Sequence, residues 1–390
     1  MTHPDADAIA SASANHDSEA ALPAQLQTEP AQHHAALALS GLLLSDGRVD
    51  EAVALLAQHA EDRDCGDLLR EYFIGERMNE DALGLLSRRG SDASTSGLVD
   101  QAVAAHLRGD IDGAMQYCRL AITAHPGYAP AHNHLGRALF NSRRADPARA
   151  SLVQAVRIAP NYAEAWHNLA HVLRDAREFE QAERAYGHAL RLRPAYRSAL
   201  LNLGIVRIAL GKNEAALETF KTLLAIDPMH AEACFNLALC EHLLLRYDDA
   251  RQSYERSIAI DPRNHRAHLQ YGRLCGELHD TEGALQQFRR ALDLNARDPE
   301  AWAEIAKVYE QADHLDEADR AVAAGLAVAP TNAGLRVEQA NIERRRGNFD
   351  AALSGLRAID LQALPPHQHA RHQQALELTL ARLGEAQQDH

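Results

Sequence analysis

The chain has 390 residues, 46% hydrophobic and only 5% aromatic, with a formal net charge of −14. That balance speaks against nonspecific nucleic-acid binding, which needs a basic surface to release counterions from phosphates. No run of about 18 uncharged apolar residues occurs, so no membrane span is expected. Lys212, Lys221 and Lys307 are the only lysines beside 37 arginines, a usage that points to a GC-rich bacterial genome.

Residues 1–32 are rich in Ala, Asp and His, and too polar to bury a core, so a disordered tail is expected. They contain no Lys or Arg and no apolar segment. This argues against a secretory signal and makes the cytoplasm the expected compartment. Between 33 and 90 two degenerate helix pairs are predicted. The first runs from His33 to Asp64 with Ser40 and Ala52 at small positions, and the second is shortened. A turn-rich break at 91–94 precedes a regular array.

From Thr95 to Leu364 one pattern recurs every 34 residues, starting at Thr95, Ala129, Ala163, Arg197, Ala231, His265, Pro299 and Ala333. The fourth place is large, as at His132, Trp166, His268 and Trp302, with polar exceptions such as Arg336. The eighth is small: Ala102, Gly136, Ala170, Gly204, Ala238, Gly272, Ala306 and Ala340. The twentieth is always Ala, from Ala114 to Ala352, and the thirty-second is usually Pro, as at Pro126, Pro160, Pro262 and Pro330. Apolar residues three and four apart predict two amphipathic helices per copy. The small places let those helices approach closely. Gly109, Gly211 and Gly347 suit the end of the first helix, and Asp110, Asn213 and Asn348 are expected to cap the second. Pro then ends it. Ala296 replaces one such Pro, while Arg336 and Gln339 in the last copy predict local softness at an exposed end. After 365 a polar-faced helix is expected to cap the array.

The spacing and the small-large signature resemble the tetratricopeptide repeat. The resemblance implies an all-α, right-handed superhelical solenoid of eight repeats over 95–364, with a capping helix and tail at 365–390. It also implies that the second, fifth, sixth, ninth and twelfth places of each first helix line a concave groove. The sixth places read His134, Asn168, Asn202, Asn236 and Gln270, a ladder of side chains whose amides can pair with a peptide backbone. This ladder is similar to the arm of O-linked N-acetylglucosamine transferases. Leu201, Ile205, Ile208, Phe235, Leu239 and Leu269 are expected to form an apolar patch beside it, flanked by Asn133, His167, His171 and Arg174 upstream and Arg273, Lys307 and Glu310 downstream. A peptide or protein partner is the expected occupant, a homodimer the alternative. The ninth places hold no Asn, so the chaperone-type carboxylate clamp of the family is not expected.

Catalytic signatures are absent. There is no phosphate-binding loop, dinucleotide turn, GxSxG elbow or HExxH helix. Five cysteines without a CxxC pair are expected to be buried thiols. His167 with His171, and the cluster His367, His369 and His372, are read as polar or solvated groups rather than metal ligands, and no cofactor is expected. "HLD" at His314–Asp316 falls in a turn without the strands of an oxygenase. The expected function is a non-catalytic scaffold. The alternative is an accessory arm, or a detached part, of a glycosyltransferase, sulfotransferase or oxygenase, because residues 365–390 leave no room for a catalytic fold.

Overall fold

The computed structural model describes residues 94–364 and 366–388, the segment 49–59, and positions 35–36, 39–40, 43, 65 and 69. The tail at 1–32, most of 33–90 and residues 91–93 lie outside the described residues, and with them the expectations of disorder, degenerate pairs and a break. Upstream, α1 spans Val49–Gln58 and buries Ala52 and Leu56 completely.

Two compact units follow from the internal contacts, Met1–Pro228 and Met229–His390. In the first, α2 (Thr95–Leu107) pairs with α3 (Ile111–Ala124), and α4 (Ala129–Asn141) with α5 (Ala145–Ile158). Next, α6 (Ala163–Asp175) pairs with α7 (Phe179–Leu192), and α8 (Arg197–Ala209) with α9 (Asn213–Ile226). The second unit holds α10 (Ala231–Leu243) with α11 (Tyr247–Ile260), and α12 (His265–Glu277) with α13 (Thr281–Leu294). It continues with α14 (Pro299–Gln311) and α15 (Leu315–Val328), then α16 (Ala333–Arg345) and α17 (Phe349–Arg357). A short 3₁₀ turn (Leu361–Ala363) leads to α18 (Pro366–Gln388). Among the described residues there is no strand.

Each pair is closed by the same turn. The second residue after the first helix takes positive φ, and the next N–H reaches back to close the turn, as in Asp110 N–H to Ala105 O at 2.9 Å. Glycine meets that demand at Gly109 (φ 84°), Gly211 (70°) and Gly347 (83°), but Arg143, Arg177, Leu245, His279 and Asp313 adopt it too, at 59–63°. The turn therefore outranks the residue's own preference. Capping departs from expectation. Asp110 does cap α3, accepting from Gly113 N at 2.9 Å, and Asp280 does the same for α13 through Gly283. Asn213 is already the first residue of α9, so Lys212 holds the capping place, and its side chain pairs with Glu183 at 2.6 Å instead of capping the helix. Asn348 holds that place before α17, yet its Nδ2 donates to Glu343 Oε2 at 2.7 Å instead of its Oδ1 capping the helix.

The small eighth place is a steric requirement. A Cβ on Gly204 would stand 2.3 Å from the Phe220 ring, one on Gly272 2.6 Å from Phe288, and one on Gly136 2.5 Å from Leu152. These side chains occupy the twenty-fourth place, so a bulky residue there takes the room that glycine leaves. Tyr186 and Tyr254 fill that place opposite Ala170 and Ala238, all four fully buried. Each such buried side chain contributes roughly 1.5–3 kcal/mol.

The polar exceptions at the fourth place have a reason visible only in three dimensions. His132 Nε2 donates to Pro126 O (2.9 Å), Trp166 Nε1 to Pro160 O (2.8 Å), His268 Nε2 to Pro262 O (3.2 Å) and Arg336 Nη2 to Pro330 O (3.1 Å). A large side chain with a donor at its tip thus latches α4, α6, α12 and α16 to the proline near the end of the preceding repeat. At Trp302, where Ala296 replaces that proline, Nε1 has no acceptor among the described residues. At the end of the array α18 joins Ala375 and Leu376 to Val337, Ala340 and Leu356 in one cluster. One face of the last pair is therefore covered, while Arg336 and Gln339 themselves stay exposed.

Candidate functional site

The structure separates the expected groove residues into buried, spent and available groups. Phe235 (2% exposed) and Leu269 (5%) are buried, which corrects their assignment to a solvent-lining patch. Phe235 packs with Ala238, Ala250, Tyr254, Ala267 and Leu274, so α10 is rotated to turn its fifth place into the seam with α12. Leu269 lies in the core with Phe288 and Ile305 for the same reason. Leu201, Ile205 and Ile208 on α8, and Leu239 on α10, remain half-buried.

The ladder is largely engaged within the chain. His134 (4%) and Asn236 (6%) are buried, and Asn168, Asn202 and Gln270 are half-buried. Asn168 Nδ2 donates to Asn133 Oδ1 at 2.8 Å, and Asn133 in turn donates to the Tyr162 hydroxyl at 3.0 Å. Asn202 Nδ2 donates to Ser198 O at 2.8 Å while its Oδ1 accepts from Arg174. Asn236 Nδ2 donates to Glu232 O at 2.7 Å. The donors therefore satisfy the protein's own backbone and neighbours, as buried polar groups must. What Asn236 still offers outward is its carbonyl oxygen.

Charge on the downstream places is likewise matched. Arg273 donates to Glu304 at 2.8 Å and to Glu300 at 3.2 Å, and Lys307 stands 3.4 Å from Glu304. Burial pushes the Glu304 carboxyl up, but Lys307 and Arg273 outweigh it and hold it below the ordinary carboxylate range. Arg371 on α18 forks onto Glu338 with both contacts at 2.5 Å, and Arg344, Arg345 and Arg371 surround Glu310. In the first unit Arg193 pairs with Glu164 at 2.6 Å, both buried, with its guanidinium 3.5 Å from the Tyr196 ring centroid.

The histidines are structural. His167 lies against Tyr196 and Tyr186, with ring centroids 4.9 and 5.7 Å apart, and burial above all pushes its pKa down to about 3. His106 is lowered to about 3 by burial, then by Arg137 and His134. His369 Nε2 donates to Leu361 O and Leu364 O, and His372 Nε2 to Leu356 O, so His369 fastens α18 to the turn before it and His372 fastens it to α17, while the His367 side chain lies outside the described residues. Among the described residues no three His, Cys, Asp or Glu side chains are grouped to hold a metal ion. All five cysteines are free and buried, and burial lifts Cys118 and Cys240 to about 12. Thiols held protonated in this way are poor nucleophiles.

One feature escaped the sequence. An open cleft of about 500 Å³ lies at the start of α10 and α12, lined by His230, Glu232, Phe235, Arg263 and Arg266 among others. The Arg266 guanidinium sits 5.0 Å from the Phe235 ring centroid. His230 caps α10, its Nδ1 accepting from Ala233 N at 3.2 Å. The period could have pointed here, because 231, 232, 265 and 266 occupy the first and second places of adjacent copies.

Helix pairs of 13 and 14 residues, repeated every 34, with a small residue where the helices touch, define a tetratricopeptide-type helical solenoid. Family profiles described as tetratricopeptide repeat match residues 105–172, 167–228 and 202–265, so the segment 105–265 carries these repeats. A tetratricopeptide repeat protein from Parabacteroides merdae is 18% identical with a TM-score of 0.50, over 74% of this chain and 100% of that one. The APC/C hetero-tetramer Cut9–Hcn1 gives 17%, 0.55, 78% and 61%. Pseudomonas aeruginosa pilF gives 21%, 0.50, 55% and 97%. At such identities the likeness concerns the fold alone. No curated protein matches the chain. No helix among the described residues is long and apolar enough to cross a membrane.

Proposed function

We propose that the chain is a non-catalytic scaffold that holds a peptide or protein partner on the groove-facing places of its first helices. The observation carrying this reading is on α8. Leu201, Ile205 and Ile208 stand at i, i+4 and i+7 and all three stay half-exposed. Aliphatic side chains left partly exposed at that spacing form one stripe along a helix and suit the apolar face of a partner helix. Covering what remains exposed of each contributes about 1 kcal/mol. A few backbone hydrogen bonds add roughly 0.5–1.5 kcal/mol apiece, which together give a Kd between about millimolar and micromolar. The amide ladder gives less support to the transferase-arm alternative, because its Nδ2 donors are spent within the chain.

A displayed library of random peptides tests the reading. The wild-type chain should enrich sequences with spaced aliphatic residues, and Ile205→Glu should lose about tenfold of that enrichment, or about 1.4 kcal/mol. Equal enrichment by the two proteins overturns it.

A further inference from the structure

The solvent face of the second helices in the first unit carries a pattern unrelated to the groove. Three Arg–aliphatic pairs recur there: Arg119–Leu120 on α3, Arg157–Ile158 on α5 and Arg191–Leu192 on α7. All six residues are exposed, the aliphatic members by 48%, 37% and 41%. The second and third pairs hold the same place in successive repeats, and the first lies one helical turn earlier on its helix, within the same face. None of the three guanidiniums has a carboxylate within ion-pair distance among the described residues.

Their surroundings are uniformly uncompensated. The last seven residues of α3, α5 and α7 contain no Asp or Glu. The equivalent stretches of α11 and α13 supply Glu255 and Asp293, and Asp293 pairs with Arg290 at 3.4 Å. Residues 94–228 carry 16 Lys and Arg against 12 Asp and Glu, a surplus of four positive charges in a chain of net charge −14. Arginine at a helix C-terminus gains from the dipole, which accounts for Arg157 and Arg191 individually. It does not account for an exposed aliphatic beside each guanidinium.

We propose that this face docks an acidic, aliphatic-rich segment of a partner protein lying across α3, α5 and α7. Its carboxylates would take the guanidinium forks and its apolar side chains would cover Leu120, Ile158 and Leu192. Arginine with adjoining apolar area is the composition of protein–protein contact surfaces. An anionic membrane or a nucleic acid fits less well. Either is an extended polyanion that would also face the rest of the chain, in which residues 1–93 alone hold 17 Asp and Glu against 6 Arg. A short acidic segment meets the basic face alone.

The test uses the full chain and a fluorescein-labelled peptide of paired Glu and Leu residues, with binding read by anisotropy. The wild type should bind, and more weakly as salt rises from about 0.05 to 0.5 M. Arg157→Glu with Arg191→Glu, both at exposed positions, should weaken binding about tenfold, while Leu239→Glu on the groove side should leave it unchanged. Equal binding by the double variant overturns the proposal. So does a loss as large with phosphatidylglycerol vesicles or a single-stranded oligonucleotide, which would mark a general polyanion surface. A chain lacking residues 1–32 that binds the peptide about tenfold more tightly than wild type also overturns it, because this protein's own acidic tail would then be the occupant.

Discussion

At the scale of single residues, glycine has two distinct jobs in this array, and they can be told apart by substitution. Gly204 lies against Phe220 with no room for a Cβ, whereas Gly211 has open space around it and a φ of 70°. Gly204→Ala should therefore lose about 1–3 kcal/mol through overpacking. Gly211→Ala should lose only about 1 kcal/mol, the dihedral cost alone. Urea midpoints of the two variants measure the difference, and a larger loss at Gly211 would contradict the assignment. The first job was legible in the sequence, because the eighth place is small in every copy. The second was legible only in part. Arg143, Arg177, Leu245, His279 and Asp313 take the same left-handed conformation without glycine, since the backbone bond closing the turn outweighs their dihedral cost.

At the scale of the element, α6 ties the first unit together and makes it sensitive to acid. His167 is neutral in its place between Tyr186 and Tyr196, with a folded pKa of about 3 against an ordinary 6.5. As pH falls through 6.5 the unfolded chain takes up a proton that the folded chain refuses. Stability is thus complete above about 6.5 and declines by about 1.4 kcal/mol per pH unit until the folded group titrates. His106 acts in the same direction. Denaturant titrations from pH 7 to 4 should show that decline, and His167→Phe should flatten it. An unchanged slope in the variant would place the acid sensitivity elsewhere. The sequence marked His167 as groove-facing and polar. That it is shut between two aromatic rings follows from which way α6 is rolled, and a period of 34 does not specify the roll.

At the scale of the whole molecule, a repeat stack is stable to the extent that each layer has neighbours. The C-terminal layer gains one in α18, held by the Arg371–Glu338 fork, by His369 and His372 on backbone carbonyls, and by Ala375 in the cluster with Val337 and Leu356. A chain ending at Leu364 should expose that cluster and leave Glu338 buried without its cation, a costly state. Hydrogen exchange in α16 and α17 should then quicken strongly while α4–α7 stay protected. Quickening throughout would mean that the array unfolds as a single cooperative body.

The amino-acid sequence by itself determined the helix pair, its period and the faces that touch. Those depend on short-range periodicity, and on a volume limit that repeats at the same position in each copy. Tertiary packing decided which nominally groove-facing side chains reach solvent. Phe235 and Leu269 went inward while Leu201, Ile205, Ile208 and Leu239 stayed half-exposed. The physical reason is angular. Adjacent places on a helix differ by about 100°, so a modest roll of one helix against the next carries a fifth-place side chain from the open face into the seam. Only the packed neighbours set that roll.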